Sequence, residues 1–556
     1  MTNREIARIF DHIADLLQFK DENPFKVKAY RQAAHYIYHL DEDLQYLYEK
    51  KRLDDIPGVG KAIKAKIEEM LEKGSSEYYQ RLLAEVPEGL LDMLAIPGVG
   101  YKTIKDVYEK LGIANRDELL QAARKKKIRT LPGMGAKTEY SIIKGIELLE
   151  QTSDKNTLGF VLPMAEALLD YVRSLQPVTD AALAGSIRRG KPLVTDIDIV
   201  AASDDEAAVR TQTAKYRGVK TITSSEEGHI KGTLQFNIPF ELIIVPLRDF
   251  CMVLFTATGS KEHVAQLTAR RGLLPSHVCR NEEEIYKKIN LDFIPPELRE
   301  DQGEIEAAAN GTLPELVQLT DLKGDLHTHS NWSDGASKIA EMAEAARALN
   351  YSYIAVTDHS RSLPISGGLN EERLKAQAAE IDRLNQQWDD FMVYKGTEVD
   401  VLKDGRLDFS NEVLESLDIV VASIHTNFHL DKEKQTERMV RAIKNENVDI
   451  IGHLSGRLLN RRPPYELNFE RVLDEAARNH VILEINSHPD RLDIDAVLAR
   501  QAGEKGVKIA INSDAHHKND LKLVKYGVMN ARRGWLVRED VINTLTRDEL
   551  TRYIKE

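Results

Sequence analysis

Through its first 150 residues the chain carries short amphipathic stretches broken by one recurring phrase: apolar residue, Pro-Gly, apolar residue, Gly. The phrase occurs in IPGVGKAIKAKI (56–67), IPGVGYKTIKDV (96–107) and LPGMGAKTEYSI (131–142). Apolar positions three and four apart after each copy predict short helices, and the phrase itself predicts the turn between them. From about 158 the texture becomes mixed α/β. GFVLPMAEALLDYVRSL predicts a helix, VTDAALAGSIRRG a strand leading into a loop, and VTDIDIVAAS a strand with alternating aspartates. GTLQFNIPFELIIVP predicts a hairpin, CMVLFTATGSKEHVAQL opens helical segments to about 316, and ANGTLPELVQLTDLKG reads as a linker. From 323 to 556 apolar strands alternate with helices, which predicts parallel βα units.

At 556 residues the chain is long enough for three or more domains, each with its own core. Cys251 and Cys279 are its two cysteines, so a disulfide framework or a thiolate zinc site is not expected and a reducing cytoplasm is. The charged, amphipathic start has no apolar leader core, and no run approaches a membrane span, so no membrane association is expected. A formal net charge of −13 argues against nucleic-acid binding by bulk charge, but DNA contact needs only local basic surfaces.

The glycines of the repeated phrase permit a tight turn and close approach of a ligand backbone. The helix N-terminus after each turn presents free N–H groups suited to a phosphate oxygen. One copy reads equally as a plain helix connection. Three copies with basic residues nearby resemble helix-hairpin-helix motifs, which places Gly58, Gly60, Gly98, Gly100, Gly133 and Gly135 at a DNA backbone. In GSIRRGKPLVTDIDIV, Asp196 and Asp198 sit two apart on an apolar strand and share one face. Like charges so close are costly unless a divalent cation lies between them. D-x-D alone also describes a solvated strand edge. Preceded by Gly185-Ser186 and by Arg188 and Arg189, whose donors suit a triphosphate, it points to nucleotidyl transfer by two metal ions.

The C-terminal third repeatedly ends an apolar strand in a metal-capable side chain. GDLHTHSNWSDG contains His327, His329 and Asp334; YIAVTDHS ends near His359; FMVYKGTEVD holds Glu398. DIVVASIHTNF holds His425, VDIIGHLSG His453, and VKIAINSDAHH Asp514 and His516. A lone histidine at a strand end is more often structural. Nine such residues predict one converging site, because βα barrels gather functional groups at the C-terminal ends of their strands. Oxygen and imidazole donors without thiolates suit Mn²⁺, Zn²⁺ or Fe²⁺, in number enough for two or three ions. Arg457 and Arg491 read equally as phosphate partners or as exposed helix arginines, and His480 and His517 fall outside the pattern.

The order of helix-hairpin-helix, GSIRRG, DID, TGSKEH and this histidine set resembles the bacterial family X DNA polymerases, relatives of DNA polymerase beta with a C-terminal PHP (polymerase and histidinol phosphatase) domain. The resemblance spans essentially the whole chain and implies a multidomain α+β and α/β architecture. Its expected segments are a lyase-like helical domain (1–85), fingers with two further hairpin motifs (86–152), a nucleotidyltransferase palm with a mixed sheet (153–246), a thumb (247–316), a linker (317–322) and a distorted (βα)7 PHP barrel (323–556). It implies that Gly185, Ser186 and Arg189, with Gly259 and Ser260 of TGS, bind a dNTP. Asp196, Asp198 and a third acid, Glu241, would hold Mg²⁺ or Mn²⁺. Lys26 and Lys66 match the family's 5′-phosphate and Schiff-base lysine positions, although a surface lysine on a basic helix is the commoner meaning. The PHP likeness implies phosphoester hydrolysis, with Glu398 as a bridging carboxylate and His327, His329 and Asp514 completing the shell.

Three positions depart from the family's pattern. Glu241 stands where a third aspartate is usual, Thr195 where glycine precedes the acid pair, and the aromatic pair before TGS is missing, although Phe255 is close. Two readings follow. In one, a monomeric repair polymerase fills gapped or nicked DNA from dNTPs, and its PHP domain works as a manganese-dependent 3′–5′ exonuclease, 3′-phosphatase and abasic-site nuclease. In the other, an end-processing nuclease keeps the polymerase fold only to hold DNA. A small-molecule phosphatase of the histidinol-phosphate type is disfavoured by the triple hairpin repeat.

Overall fold

The computed structural model describes residues 1–556 apart from 2, 39, 41, 95, 153, 225–226, 272–278, 364–365 and 555–556. It divides into two compact units, 1–153 with 460–463, and 154–459 with 464–556. Part of the helical expectation before 316 falls on 272–278 and so lies outside the described residues. Among the described residues no helix is long and apolar enough to cross a membrane.

The first unit is helical. Ile6, Phe10, Ile13 and Leu17 recur at spacings of three and four on helix Asn3–Phe19 and are fully buried, which is the amphipathic stripe expected of a core-facing helix. Each repeated phrase forms a turn entering a helix, at Lys61–Lys73, Tyr101–Leu111 and Ala136–Thr152. The first glycine of each copy has φ near +75°, at Gly58, Gly98 and Gly133, a conformation that a β-carbon disfavours.

The second unit begins with helix Leu158–Ser174 over a five-stranded mixed sheet. Its strands are β1 (Asp180–Leu183), β2 (Ile197–Ala202), β3 (Val219–Ser224), β4 (His229–Leu234) and β5 (Pro239–Val245), in the order β1-β2-β5-β4-β3. β4 and β5 form the expected hairpin through the turn Gln235–Asn237, and β2 runs parallel to β5. The stretch after β1, expected as a loop, is instead a single helical turn, Gly185–Arg188. Gly185 turns the chain at φ +57°, and Ile187 is buried in the core of the sheet.

Seven parallel strands follow in sequential order: β6 (Gly324–Thr328), β7 (Tyr353–Val356), β8 (Met392–Asp400), β9 (Ile419–Ser423), β10 (Ile450–Ile451), β11 (Ile482–Asn486) and β12 (Ile509–Asn512). The first and last meet through a bridge from Thr328 to Ala515 and the bond His329 N–H to Ala515 O (2.8 Å), nearly closing a barrel. The period of two divides each strand between its faces. Ile354, Val393, Val420, Leu483 and Ile511 face the outer helices, while Tyr353, Tyr394, Val421, Ile482 and Ala510 fill the interior. The C-terminal segment plugs the end opposite the site, where Tyr353 donates to Asn543 O and Leu545 O, and Tyr394 pairs with Thr551. The predicted linker is not loose. Leu316 is buried in the core of the preceding helical segment and Val317 and Leu322 in that of the barrel, and Val317 N–H bonds Leu536 O, because these apolar side chains have cores to join.

Candidate active sites

Following the interior face of each barrel strand toward its C-terminal end, apolar residues give way to ionisable ones. Tyr394 is succeeded by Glu398 and Asp400, Ile482 by Glu484, and Val421 by Ser423 and then His425. The resulting cluster at the strand ends is deeply buried. His327, His329, Glu398 and Glu484 are each 0 or 1% exposed. A register shift between Asp325 and Thr328 leaves Leu326 in the interior core and still delivers His327 to the cluster. Glu398 touches five histidines: His359 Nδ1 at 2.8 Å, His453 Nε2 at 2.9 Å, His425 Nε2 at 3.2 Å, His327 Nε2 at 3.5 Å and His329 Nε2 at 3.6 Å. Asp514 Oδ1 lies 3.1 Å from His329 Nε2 and 3.5 Å from His327 Nε2. Asp334 approaches His359 (3.5 Å) and His516 (3.4 Å). Asp514 (φ 54°) and His453 (φ 28°) are both held in left-handed backbone, uncommon for residues with a β-carbon.

The donor atoms fall into three groups, each with its atoms within 4.8 Å of one another: His329, Asp334, His359 and His516; His327, His329 and Asp514; His359, Glu398 and His425. His453 stands beside the third group through Glu398. His327 Nε2, both ring nitrogens of His329, His359 Nδ1 and His453 Nδ1 are buried without a well-aligned hydrogen bond, even where a carboxylate oxygen lies as near as 2.8 Å (His359 to Glu398) or 3.1 Å (His329 to Asp514). Such orphaned nitrogens are costly in an apolar interior and are the atoms that divalent ions take up. Burial and the neighbouring His516 and His359 hold His329 neutral, its pKa lowered to about 3, so its lone pairs remain available. Burial opposes ionisation of Glu398, but His425, His359 and His327 outweigh it and keep that carboxyl well below its usual range. The donor set therefore fits a metal site.

Two orienting carboxylates were not foreseen. Glu484 accepts from His327 Nδ1 (2.7 Å), and Asp400 from His425 Nδ1 (2.8 Å), which fixes each ring with Nε2 toward the cluster. A charged residue inside the apolar strand ILEIN, and a second acid two residues after Glu398, were the signals available. Arg457 is consumed by Arg491 O (2.9 Å), Leu492 O and Asp495, whereas Arg491 reaches Asp514 at 3.8 Å. His480 is exposed, and His517 caps the turn Lys518–Leu523.

On the five-stranded sheet, Asp198 stands directly opposite Glu241 on adjacent parallel strands, and Asp196 lies one residue ahead of β2. Burial, Asp196 and Glu241 together push the Asp198 carboxyl up to about 7. Three acids thus crowd one place, as expected where a cation belongs, and Lys231 and Arg189 offset only part of their charge. Gly185 lies against them: a β-carbon there would come within 1.8 Å of Asp198 Oδ2. Ser186 Oγ is buried without a partner. Glu241 is itself engaged, by His229 Nδ1 at 2.7 Å and Lys231 Nζ at 3.5 Å. Arg189 donates from Nη1 to Thr258 O (2.7 Å) and from Nε to Glu300 (2.7 Å), which joins the GSIRRG turn to the TGS stretch. Ser260 Oγ accepts from His263 N–H, and Gly259 ends helix Leu247–Thr258. Phe255 is buried edge-on to Tyr286 and serves the core of the helical segment.

Residues 1–76 match a helix-hairpin-helix domain, 90–147 a SAM-like helix-hairpin-helix tandem and 325–488 a PHP domain. The DNA polymerase/3′-5′ exonuclease PolX of Bacillus subtilis is 35% identical over 574 aligned positions that cover all of both chains. This chain belongs to the PolX family. Its PHP portion is also 32% identical to a probable phosphatase of Caldanaerobacter subterraneus, over 42% of this chain and 91% of that one. A probable phosphatase of Thermoanaerobacter is 32% identical over 42% of this chain and 94% of its own length.

In the helical unit of this PolX chain, Lys66 Nζ sits 4.6 Å from the ring centre of Tyr78 and 5.9 Å from that of Tyr30, and donates to Ala62 O. Burial, then the neighbouring Lys26, lowers its pKa. It lines a groove of about 530 Å³ with Ala65, Glu69, Tyr78 and Arg81. Lys26 pairs with Glu22 at 3.6 Å and lies 5.6 Å from the Tyr78 ring. At Gly60, Gly98, Gly100, Gly133 and Gly135 an added β-carbon would meet nothing within 4 Å, so these turn faces are open, while Gly58 packs on Tyr36.

Proposed function

We propose that this PolX chain is a DNA-repair enzyme that extends a primer in gapped or nicked DNA at its five-stranded sheet and hydrolyses 3′ phosphoesters at its barrel. The observation that carries this reading is the presence of two separate acid centres in one chain: the Asp196, Asp198 and Glu241 triad, and the buried histidine and carboxylate cluster at the barrel strand ends. Residues 1–85 and 86–152 serve as DNA-gripping segments, 153–246 as palm, 247–316 as thumb and 323–556 as the phosphoesterase. The three open glycine turns take the phosphate backbone, which gives affinity that falls with salt.

Divalent cations, Mg²⁺ or Mn²⁺ at the palm and two or three of Mn²⁺, Zn²⁺ or Fe²⁺ in the barrel, supply charge neutralisation and activation of the attacking oxygen. The protein's own part is positional. Asp196, Asp198 and Glu241 hold the palm ions, while Ser186 Oγ, Arg189 and the 259–260 turn receive the triphosphate. In the barrel, Glu398, His327, His329, Asp334, His359, His425, His453, Asp514 and His516 would hold the ions. His327, His329, Glu398 and His453 are buried, which strengthens the electrostatic contacts among them, whereas Asp334 and His516, with side chains 30 and 31% exposed, lie on the open side of the cluster. We extend the barrel's substrates to 3′-phosphates and abasic sites, and place the chain in the cytoplasm as a monomer.

A 5′-labelled primer on gapped DNA with dNTPs and Mg²⁺ or Mn²⁺ tests this directly. Wild type is expected to lengthen the primer with dNTPs and to shorten it without them. Shortening with no extension in either metal would establish the second reading, a nuclease whose polymerase fold only holds DNA. That reading has one observation in its favour, the engagement of Glu241 by His229.

Lys66 is proposed as an abasic-end lyase, since partial burial and Lys26 both favour its nucleophilic neutral amine. Borohydride present during incubation with a 5′-abasic end is expected to trap wild type on DNA and not Lys66→Ala. Equal trapping would refute the assignment.

A further inference from the structure

Helix Val524–Arg533 packs on the barrel through Val524, Val528 and Ala531, and its other face meets the core of the five-stranded sheet. Leu523, Tyr526 and Met529 join the core of that sheet. It comes close to the turn after Arg189. Gly190, at φ +65°, comes so near that an added β-carbon would lie 3.2 Å from Met529 Cβ and 3.9 Å from Arg533 Cδ. Arg533 then reaches past the helix end. Its Nη1 donates to the main-chain oxygen of Arg189 (2.9 Å) and to Glu300 Oε1 (3.1 Å). The same Glu300 oxygen accepts from Arg189 Nε (2.7 Å), and Lys191 Nζ lies 3.3 Å from the other. The side chains of Arg189, Glu300 and Arg533 are each 10% exposed, so the network is shielded from solvent.

We propose that Arg533 is a positioning residue for the polymerase centre: a barrel side chain that holds the triphosphate-binding turn 185–190 and keeps its charge positive. The inference rests on the assignment of Arg189 to the triphosphate made above. Two effects act together. The first is geometric, because Arg533 fixes the backbone of Arg189 while Glu300 and Thr258 fix its guanidinium. The second is electrostatic. Glu300 alone would cancel the charge of Arg189, leaving little attraction for an anion. Arg533 and Lys191 offset Glu300, and the turn keeps a net positive charge. Burial works against ionisation of Glu300, yet Arg533, Arg189 and Lys191 hold its pKa at about 2, so the carboxylate is charged at any working pH. The neighbouring Arg188 pairs with Glu282, which it shares with Arg299. In this arrangement the barrel contributes to nucleotide affinity at a centre whose acids all lie on another sheet.

The test uses full-length protein on gapped DNA. Single-nucleotide insertion is measured with Mn²⁺, and dNTP binding is titrated on a dideoxy-terminated primer. Arg533→Lys keeps charge and donor, Arg533→Gln keeps a donor without charge, and Arg533→Met keeps neither. Arg533→Met is expected to raise the dNTP KM and Kd about tenfold, the worth of one charge-assisted hydrogen bond, with kcat changed little. Gln should fall between, and Lys should stay near wild type. Primer shortening by the barrel should be unchanged in all three, which separates this effect from misfolding. If Arg533→Met also loses shortening, the Gln and Lys comparison decides. Nucleotide affinity equal to wild type in the Gln and Met variants that retain shortening would overturn the proposal. Wild type that binds no nucleotide would instead overturn the polymerase reading, and this inference with it.

Discussion

Replacing His327 and His329 together by alanine is expected to reduce primer shortening by about 10³-fold or more while leaving extension near wild type. The magnitude follows from the several kcal/mol that a catalytic metal contributes, at tenfold per 1.36 kcal/mol. These two rings supply donors to two of the three groups in the barrel, so no group short of the Glu398 set survives intact. His327 in particular has its Nδ1 committed to Glu484, and its Nε2 is the atom facing Glu398 and Asp514. Removing Glu484 by Glu484→Gln should cost less, about 10- to 100-fold, the usual effect of loosening a ligand's orienting partner. Metal content of the purified protein should fall in parallel, an independent reading of the same loss. Retained shortening in the double variant would refute the assignment of the barrel as the hydrolytic centre. Retained metal with lost shortening would move the two histidines from holding an ion to some other role.

Asp198→Asn is expected to remove primer extension by a similar factor, about 10³-fold or more, and to leave shortening unchanged. Asparagine keeps the shape of the side chain beside Gly185, where an extra atom has no room, so the change is one of charge. Burial first, then Asp196 and Glu241, push the Asp198 carboxyl up to about 7. In a site built around a cation, removing that charge weakens the cation's hold and leaves the developing pyrophosphate uncompensated. Glu241→Asp completes the experiment. If the longer acid and its contact with His229 handicap the site, the shorter one should raise extension several-fold, consistent with the steep dependence of such reactions on sub-ångström alignment. Extension that persists in Asp198→Asn would place the polymerase centre elsewhere.

Most of the chemistry in this chain was legible because it is written at short range. D-x-D, H-x-H and the Pro-Gly-x-Gly turns each depend on spacings of two to four residues, which backbone geometry converts into a shared face or a helix entry. Alternating apolar strands and helices after 323 led in the same way to parallel units, and the structure orders the seven strands sequentially. Where a local pattern admitted two outcomes, the packing chose. The stretch after β1 became a helical turn because Ile187 found a core, and the predicted linker packed down because Leu316, Val317 and Leu322 had cores to join.

What the sequence by itself determined is the inventory: which segments can form which elements, and which side chains can hold phosphate or metal. Only the tertiary structure decided the pairing. Glu484 meets His327 across 157 residues, Glu300 meets Arg189 across 111 and Arg533 meets it across 344. None of these separations leaves a local trace, since the partners are set by strand register and by which helix covers which sheet. A carboxylate in an apolar strand announces that it needs a partner, because burying it alone is too costly. Which partner it finds is a property of the fold.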